Sequence, residues 1–265
     1  MLEQVLVVAL FTFIIHLSET LTYSLRLAGV RLGKLAVALS LSGIILLVSR
    51  TANMVQAPLT GKIIDFAKKH ADYNLVDQFR LIIGASTIGT LAALLLFPSA
   101  VFLAARVIAH LEVAGSIPQM IRTSVSFEKI TNARHHLRVP KLSMLSRLRV
   151  GGIPKRLVLL NALVTAIYTI GVLAALLAST LTTEHATAAS QASGLINGVA
   201  TILLTILIDP QIGLVTDKVL RGEKEVAALN KVFGLLMLSR LAGTLLAQLL
   251  LVPAAHWIHW LVSVL

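Results

Sequence analysis

The stretch Ser49-Arg50-Thr51-Ala52-Asn53-Met54-Val55-Gln56-Ala57-Pro58 places a guanidinium and two carboxamides at the end of an apolar run that starts near Leu35. That run is long enough to cross a bilayer. A charge inside hydrocarbon costs at least ~2.5–3.5 kcal/mol on insertion scales, so such a residue faces a cavity, a partner or a ligand. On a helix Arg50 and Asn53 share a face, and Gln56 continues it one turn on. A hydrogen-bonded clamp between helices is the competing reading. Arginine suits an anionic ligand such as phosphate, because its planar fork binds two oxygens and keeps its charge.

Four further polar stripes run through apolar sequence. Thr12, His16, Glu19, Tyr23 and Arg26 alternate spacings of four and three, which puts all five on one helix face. Asn197, Thr201, Thr205 and Asp209 recur every fourth residue, Arg240, Thr244 and Gln248 do the same, and Asn161, Thr165 and Tyr168 form a shorter row. Together they predict a water-accessible central cavity rather than packing contacts alone. Arg50, Asn53, Gln56, Arg240 and Arg26 are its candidate anion ligands. Tyr23, Asn197, Thr201, Thr205, Thr244 and Gln248 would line it. His16 and Glu19, one turn apart, are a candidate proton relay, and Glu19 or Asp209 is the expected counter-charge of Arg240. From the predicted spans Arg50 should lie ~10 Å from the outer end of its helix and Arg240 ~14 Å from the cytoplasmic end of its own. An anion held first near Arg26 and Arg240, then near Arg50, would have been carried across. His256 and His259 are spaced for a shared ligand, but no carboxylate is nearby. With Trp257 and Trp260 they read as an interfacial aromatic belt, and no metal site is expected. No cofactor motif is present either, and the lack of a Walker-type loop argues against nucleotide hydrolysis.

The elements that would hold these residues are helices. The sequence is 57% hydrophobic and only 13% charged, with mean hydropathy +0.88, which excludes a soluble domain. Six segments are long enough to span: Leu2–Arg26, Leu35–Ala57, Leu81–Val107, Leu157–Leu181, Ala186–Asp209 and Val232–Val262. The last should tilt, or break at Pro253. The first lacks a small-residue cleavage site and reads as a membrane helix, not a signal peptide. Cysteine is absent, so no disulfide framework or thiolate metal site exists. Seventeen Lys and Arg fall in the loops after the first, third and fifth segments, against four (Lys62, Lys68, Lys69, Arg80) on the other side. That bias predicts both termini outside and the odd-numbered loops in the cytoplasm. The net charge of +11 therefore speaks to topology and anionic lipid, and no nucleic-acid motif accompanies it.

Ten of those basic residues lie between Arg106 and Arg156, against Glu112 and Glu128 alone. Part of this loop, Val113 to Phe127, has Ile117, Ile121 and Val125 on one face and reads as a surface helix. Arg134, Arg138, Lys141, Arg147, Arg149, Lys155 and Arg156 follow as a polybasic run that anionic headgroups would attract by about 1 kcal/mol per residue. Around this loop the chain divides into two halves. Pro58-x-x-Gly61-x-x-x-Asp65 after the second segment matches Pro210-x-x-Gly213-x-x-x-Asp217 after the fifth. Gly89-Thr90-Leu91 with Pro98 in the third matches Gly243-Thr244-Leu245 with Pro253 in the sixth, allowing one inserted residue. Three crossings change sides, so such halves run in opposite senses, a common transporter plan with its site at their interface. The expected fold is thus an all-α integral membrane protein: a single polytopic domain over 1–265. Residues 1–107 and 157–265 form two inverted three-helix repeats, and 108–156 is the basic cytoplasmic loop.

Thr12-x-Ile14-Ile15-His16, Thr20-Leu21-x-Tyr23-Ser24-x-Arg26-x-Ala28-Gly29-Val30-Arg31 and the Ser49–Pro58 block resemble the Amj family of alternate lipid II flippases. The resemblance implies transport of the undecaprenyl-pyrophosphate-linked peptidoglycan precursor to the outer leaflet of a bacterial cytoplasmic membrane. It carries no residue-by-residue mechanism, so the site residues rest on the stripes. The residues agree with such a substrate: a pyrophosphate needs cations at membrane depth, and a sugar–peptide head needs a polar passage. An intramembrane enzyme acting on an isoprenoid phosphate, a scaffold for cell-wall enzymes, and a transporter of another anionic lipid or small solute are the rival readings. The enzyme is disfavoured by the lack of a clustered His/Asp/Arg triad at one interface. Homo-oligomerisation is left open, since no helix face stands out.

Overall fold

The structure, a computed structural model, describes residues 1–70, 72–116, 119 and 153–265. Every regular element among them is helical: α1 (Leu2–Arg31), α2 (Leu35–Lys69), α3 (Leu75–Ala114), α4 (Lys155–Ala178), α5 (Ala186–Gln191), α6 (Ser193–Leu203), a π-helical turn (Leu204–Ile208), α7 (Asp209–Leu220) and α8 (Val226–Val264). α5 through α7 form one interrupted span, and with it six helical stretches among the described residues are long and apolar enough to cross a membrane. This is a multi-pass membrane protein.

The six predicted spans are all present, several of them longer than hydropathy indicated. α2 runs twelve residues past Ala57, and the 40-residue α3 begins at Leu75 and ends at Ala114. At ~1.5 Å per residue α3 is about 60 Å long, twice the hydrocarbon thickness. Hydropathy marks only the apolar part of a helix. The remainder is amphipathic: beyond Ala57, Thr60, Ile63 and Ile64 are buried while Lys62, Asp65 and Lys69 are exposed. Pro58, Pro98 and Pro253 are accommodated without a break, so α8 is continuous where a break was one expectation. The fifth span breaks instead. Pro210 has no N–H to donate and its ring crowds the preceding turn. Just before it the N–H of Asp209 donates to the Leu204 carbonyl five residues back, and the helix takes a π turn.

Each half has its first helix in the middle. α1 packs on α2 and α3, and α4 packs on α8 and α6, while α3 and α8 make the main contact between the halves. Two glycines let helices approach one another's backbone. A Cβ on Gly89 of α3 would strike the Phe13 backbone of α1, and one on Gly243 of α8 would strike the Ala162 carbonyl and Thr165 of α4. The motif-matched glycines thus do the same job in each half. Apolar packing forms two cores. One, at the end carrying the termini, holds Val5, Val8, Ile63, Phe79, Ile83 and Leu251. The other, at the opposite end, holds Tyr23, Leu27, Ala38, Ile108, Phe233 and Met237. In α1, α2 and α8 the residues between these two sets include His16, Glu19, Ser49 and Arg240, so a polar layer separates the cores. Of the surface helix expected over Val113 to Phe127 only Val113 to Ser116 and Gln119 are among the described residues: Val113 and Ala114 end α3 and Gly115 closes it with a left-handed turn. Of the polybasic run from Arg134 to Arg156 only Lys155 and Arg156 are described, at the start of α4, and the rest lies outside the described residues.

Candidate functional site

Glu19 is the hub of the polar layer. Its Oε1 accepts a hydrogen bond of 2.8 Å from Ser49 Oγ of α2, and its Oε2 accepts one of 2.9 Å from Arg240 Nη2 of α8. The pair is largely enclosed, with side-chain exposures of 16% for Arg240 and 15% for Glu19. Tyr23, one turn from Glu19, packs its ring at a tilt against Phe233 of α8, 5.4 Å between centroids, and its hydroxyl lies beside Arg240. His16, one turn the other way, is buried within electrostatic reach of both Glu19 and Arg240. Of the two carboxylates that the sequence offered Arg240, Glu19 takes it. Asp209 is exposed and sits in the first turn of α7, where a carboxylate suits the helix dipole.

Tyr168 of α4, which is 44% exposed, lies within electrostatic range of the enclosed group. The charges of Glu19, Arg50 and Arg240 all reach this phenol. Arg50 is exposed, and among the described residues no carboxylate pairs with it. The two arginines therefore lie at one level. Arg50 is about 22 Å from the Leu35 end of α2, and Arg240 about 21 Å from the Val226 end of α8, at ~1.5 Å per residue. Measured from these ends the separate depths expected from the sequence are absent, because α8 begins at Val226, six residues before the expected Val232, and so carries Arg240 further along its helix.

Several donors and acceptors here are unused. Arg240 Nε, His16 Nδ1 and Thr20 Oγ1 are buried without a hydrogen-bond partner, and so is Arg26 Nε one turn and a half along α1. Most hydroxyls nearby are satisfied by their own helix, as Thr12 is by the Val8 carbonyl and Thr22 by that of Glu19. The orphaned groups thus lie on the charged face of α1.

Other stripe residues hold helices together. Gln56 donates to Thr12 Oγ1 across the α1–α2 contact, and Asn53 donates to the Ser49 carbonyl in its own helix. Gln248 reaches from α8 to the Arg80 carbonyl of α3. Thr244 is fully buried and bonded to the Leu241 carbonyl. Asn161 donates to both Ser239 Oγ and the Leu236 carbonyl, tying α4 to α8. In the fifth span Thr201 and Thr205 are exposed, and Asn197 packs its Oδ1 against Gly171 without a hydrogen bond. Ser49 and Tyr168 are the two site groups that the arginine-centred reading passed over. A row of small residues, Ala38, Ser42, Ser49 and Ala52, is the signal that this face of α2, not the Arg50 face, meets α1. Among the described residues no group of three or more His, Cys, Asp or Glu could hold a metal ion.

No solved structure matches the chain. The Lipid II flippase Amj of Bacillus subtilis (strain 168) is 46% identical over 259 residues, covering 97% of this chain and 96% of that protein. The model of the family described as Amj, "Alternate to MurJ", matches residues 11–262. With both matches spanning nearly the whole length, the chain belongs to the Amj family.

Proposed function

We propose that this protein is a lipid II flippase, a transporter that moves the polyprenyl-pyrophosphate-linked peptidoglycan precursor from the cytoplasmic to the outer leaflet for cell-wall synthesis. The observation that carries the reading is the pair of arginines at one level in the middle of the helices, Arg240 enclosed with Glu19 and Arg50 exposed, both within electrostatic range of Tyr168. A diphosphate has enough oxygens for both forks. One central anion station replaces a relay of two. Asn53 and Gln56 steady α2 there, and Arg26, with its unpartnered Nε, continues the cationic face toward the α1–α2 turn. Glu19 supplies charge compensation within the station, His16 lies buried one turn from it as a proton-relay candidate, and Tyr23 orients Arg240. Asn197, Thr201 and Thr205 offer polar groups along the interrupted span for the sugar–peptide head.

The two halves act as inverted repeats that rock about this station, a reading supported by their matched packing and matched glycines. The protein resides in the bacterial cytoplasmic membrane with both termini outside, as the basic-residue bias requires. The loop of ten basic residues then faces anionic headgroups in the cytoplasm. Vesicles test the reading: purified protein should make about half of an inward-facing, fluorescent polyprenyl-pyrophosphate disaccharide accessible to an external quencher, and protein-free vesicles should not. Equal accessibility with and without protein would reject it.

A further inference from the structure

In the state described here the central station already holds an anion of its own. Glu19 occupies Arg240 through one carboxylate oxygen and Ser49 through the other. It joins α1 and α2 of the first half to α8 of the second, where α1 and α8 otherwise touch little compared with α1 and its own two neighbours. Arg240 keeps an unused Nε donor, and the exposed Arg50 lies within electrostatic range of Tyr168. A phosphate entering past Tyr168 offers the same acceptor chemistry as the carboxylate with more charge.

We infer that Glu19 is a resident counter-anion that occupies Arg240 when the carrier is empty and is displaced by the substrate's phosphate when it is loaded. This rests on the flippase reading and gives it a return step. After release outside, an empty carrier must reorient with Arg240 deep in the membrane. An unpaired guanidinium there would oppose that movement. With Glu19 back on Arg240 the enclosed guanidinium is neutralised again and the carrier resets. Glu19 thereby sets two quantities in opposite directions: it weakens substrate binding by competition and permits net transport.

The test uses the full-length protein in lipid nanodiscs and vesicles, with a fluorescent polyprenyl pyrophosphate and inorganic pyrophosphate as probes. Glu19→Gln should bind the lipid about tenfold tighter, the loss of one competing charge-assisted hydrogen bond. Net flipping should fall while exchange of labelled for unlabelled lipid across the bilayer continues, because only the loaded form still reorients. Ser49→Ala removes one of the two partners of Glu19, leaves the ion pair in place, and should raise affinity by roughly threefold to fivefold. It decides the matter if the Gln variant does not fold. Pyrophosphate alone competing in both variants would assign the effect to the headgroup. If the wild type binds the lipid and neither variant binds it tighter, or if net flipping and exchange vanish together, Glu19 is a structural partner and the inference is wrong. If the wild type binds no polyprenyl pyrophosphate at all, the flippase reading itself fails.

Discussion

Arg240 and Arg50 differ in what surrounds them, and the difference separates stability from transport. Arg240 is enclosed with Glu19, so Arg240→Ala strands a buried carboxylate. Removing one member of such a pair costs about 3–5 kcal/mol. Arg50 is exposed and unpaired among the described carboxylates, so Arg50→Ala should leave stability within ~0.5 kcal/mol. Both variants should lose lipid transport by tenfold or more, while Arg240→Lys and Arg50→Lys keep a part of it through charge alone. Thermal unfolding in detergent and vesicle transport, measured on the same preparations, check the two effects. Normal transport by both alanine variants would remove arginine from the mechanism. That two arginines lie within membrane-spanning helices was legible from charge inside apolar sequence. That they meet at one level was not, because helix length set the depth and hydropathy stops where a helix turns amphipathic. Glu19 as the partner of Arg240 was one of two readings, and only tertiary contact could choose between it and Asp209.

The helices explain which parts of the sequence pattern carry over into structure. Span number followed from apolar run length, a strong signal in membranes where backbone groups must bond internally. Helix ends did not, since residues 58–69 of α2 and 209–220 of α7 are amphipathic and bury only one side. The π turn before Pro210 and the unbroken course through Pro253 show the limit from the other direction: proline marks strain, and packing decides its form. The matched Gly89 and Gly243 were visible as a sequence echo, and the structure adds what they do. Gly89→Leu and Gly243→Leu should each destabilise the protein by roughly 1–3 kcal/mol, the usual cost of overpacking, since each new side chain would meet backbone of the facing helix. Gly61, which has no heavy atom within 4 Å of its would-be Cβ, is the control. Gly61→Ala should be neutral or stabilising by up to ~1 kcal/mol, as expected for a helix interior. Detergent unfolding midpoints of the three variants distinguish them. A mild effect at both Gly89 and Gly243 would undo the close-packing account.

At the scale of the whole molecule, two apolar cores enclose a charged layer, and the chain reaches that layer from both halves. The orientation proposed from Lys and Arg counts is open to direct labelling, because the protein has no cysteine of its own. Single cysteines at His70 and Glu184 should react with an impermeant maleimide added to intact cells, and one at Glu223 only after permeabilisation. The opposite pattern would invert the topology and with it the direction assigned to transport. In the proposed orientation the long basic loop, legible as composition, would add charge on the side where the precursor is made. The central claim is transport of lipid II, and a cell with no other flippase tests it most directly. The resident flippase of a bacterium is depleted, this protein is supplied, and lipid II in the outer leaflet is measured with an externally added hydrolase that cleaves only the flipped precursor. The account predicts that growth and cleavable lipid II both return with the wild type and fail with Arg240→Ala. Stable insertion of the wild type with neither returning would contradict it.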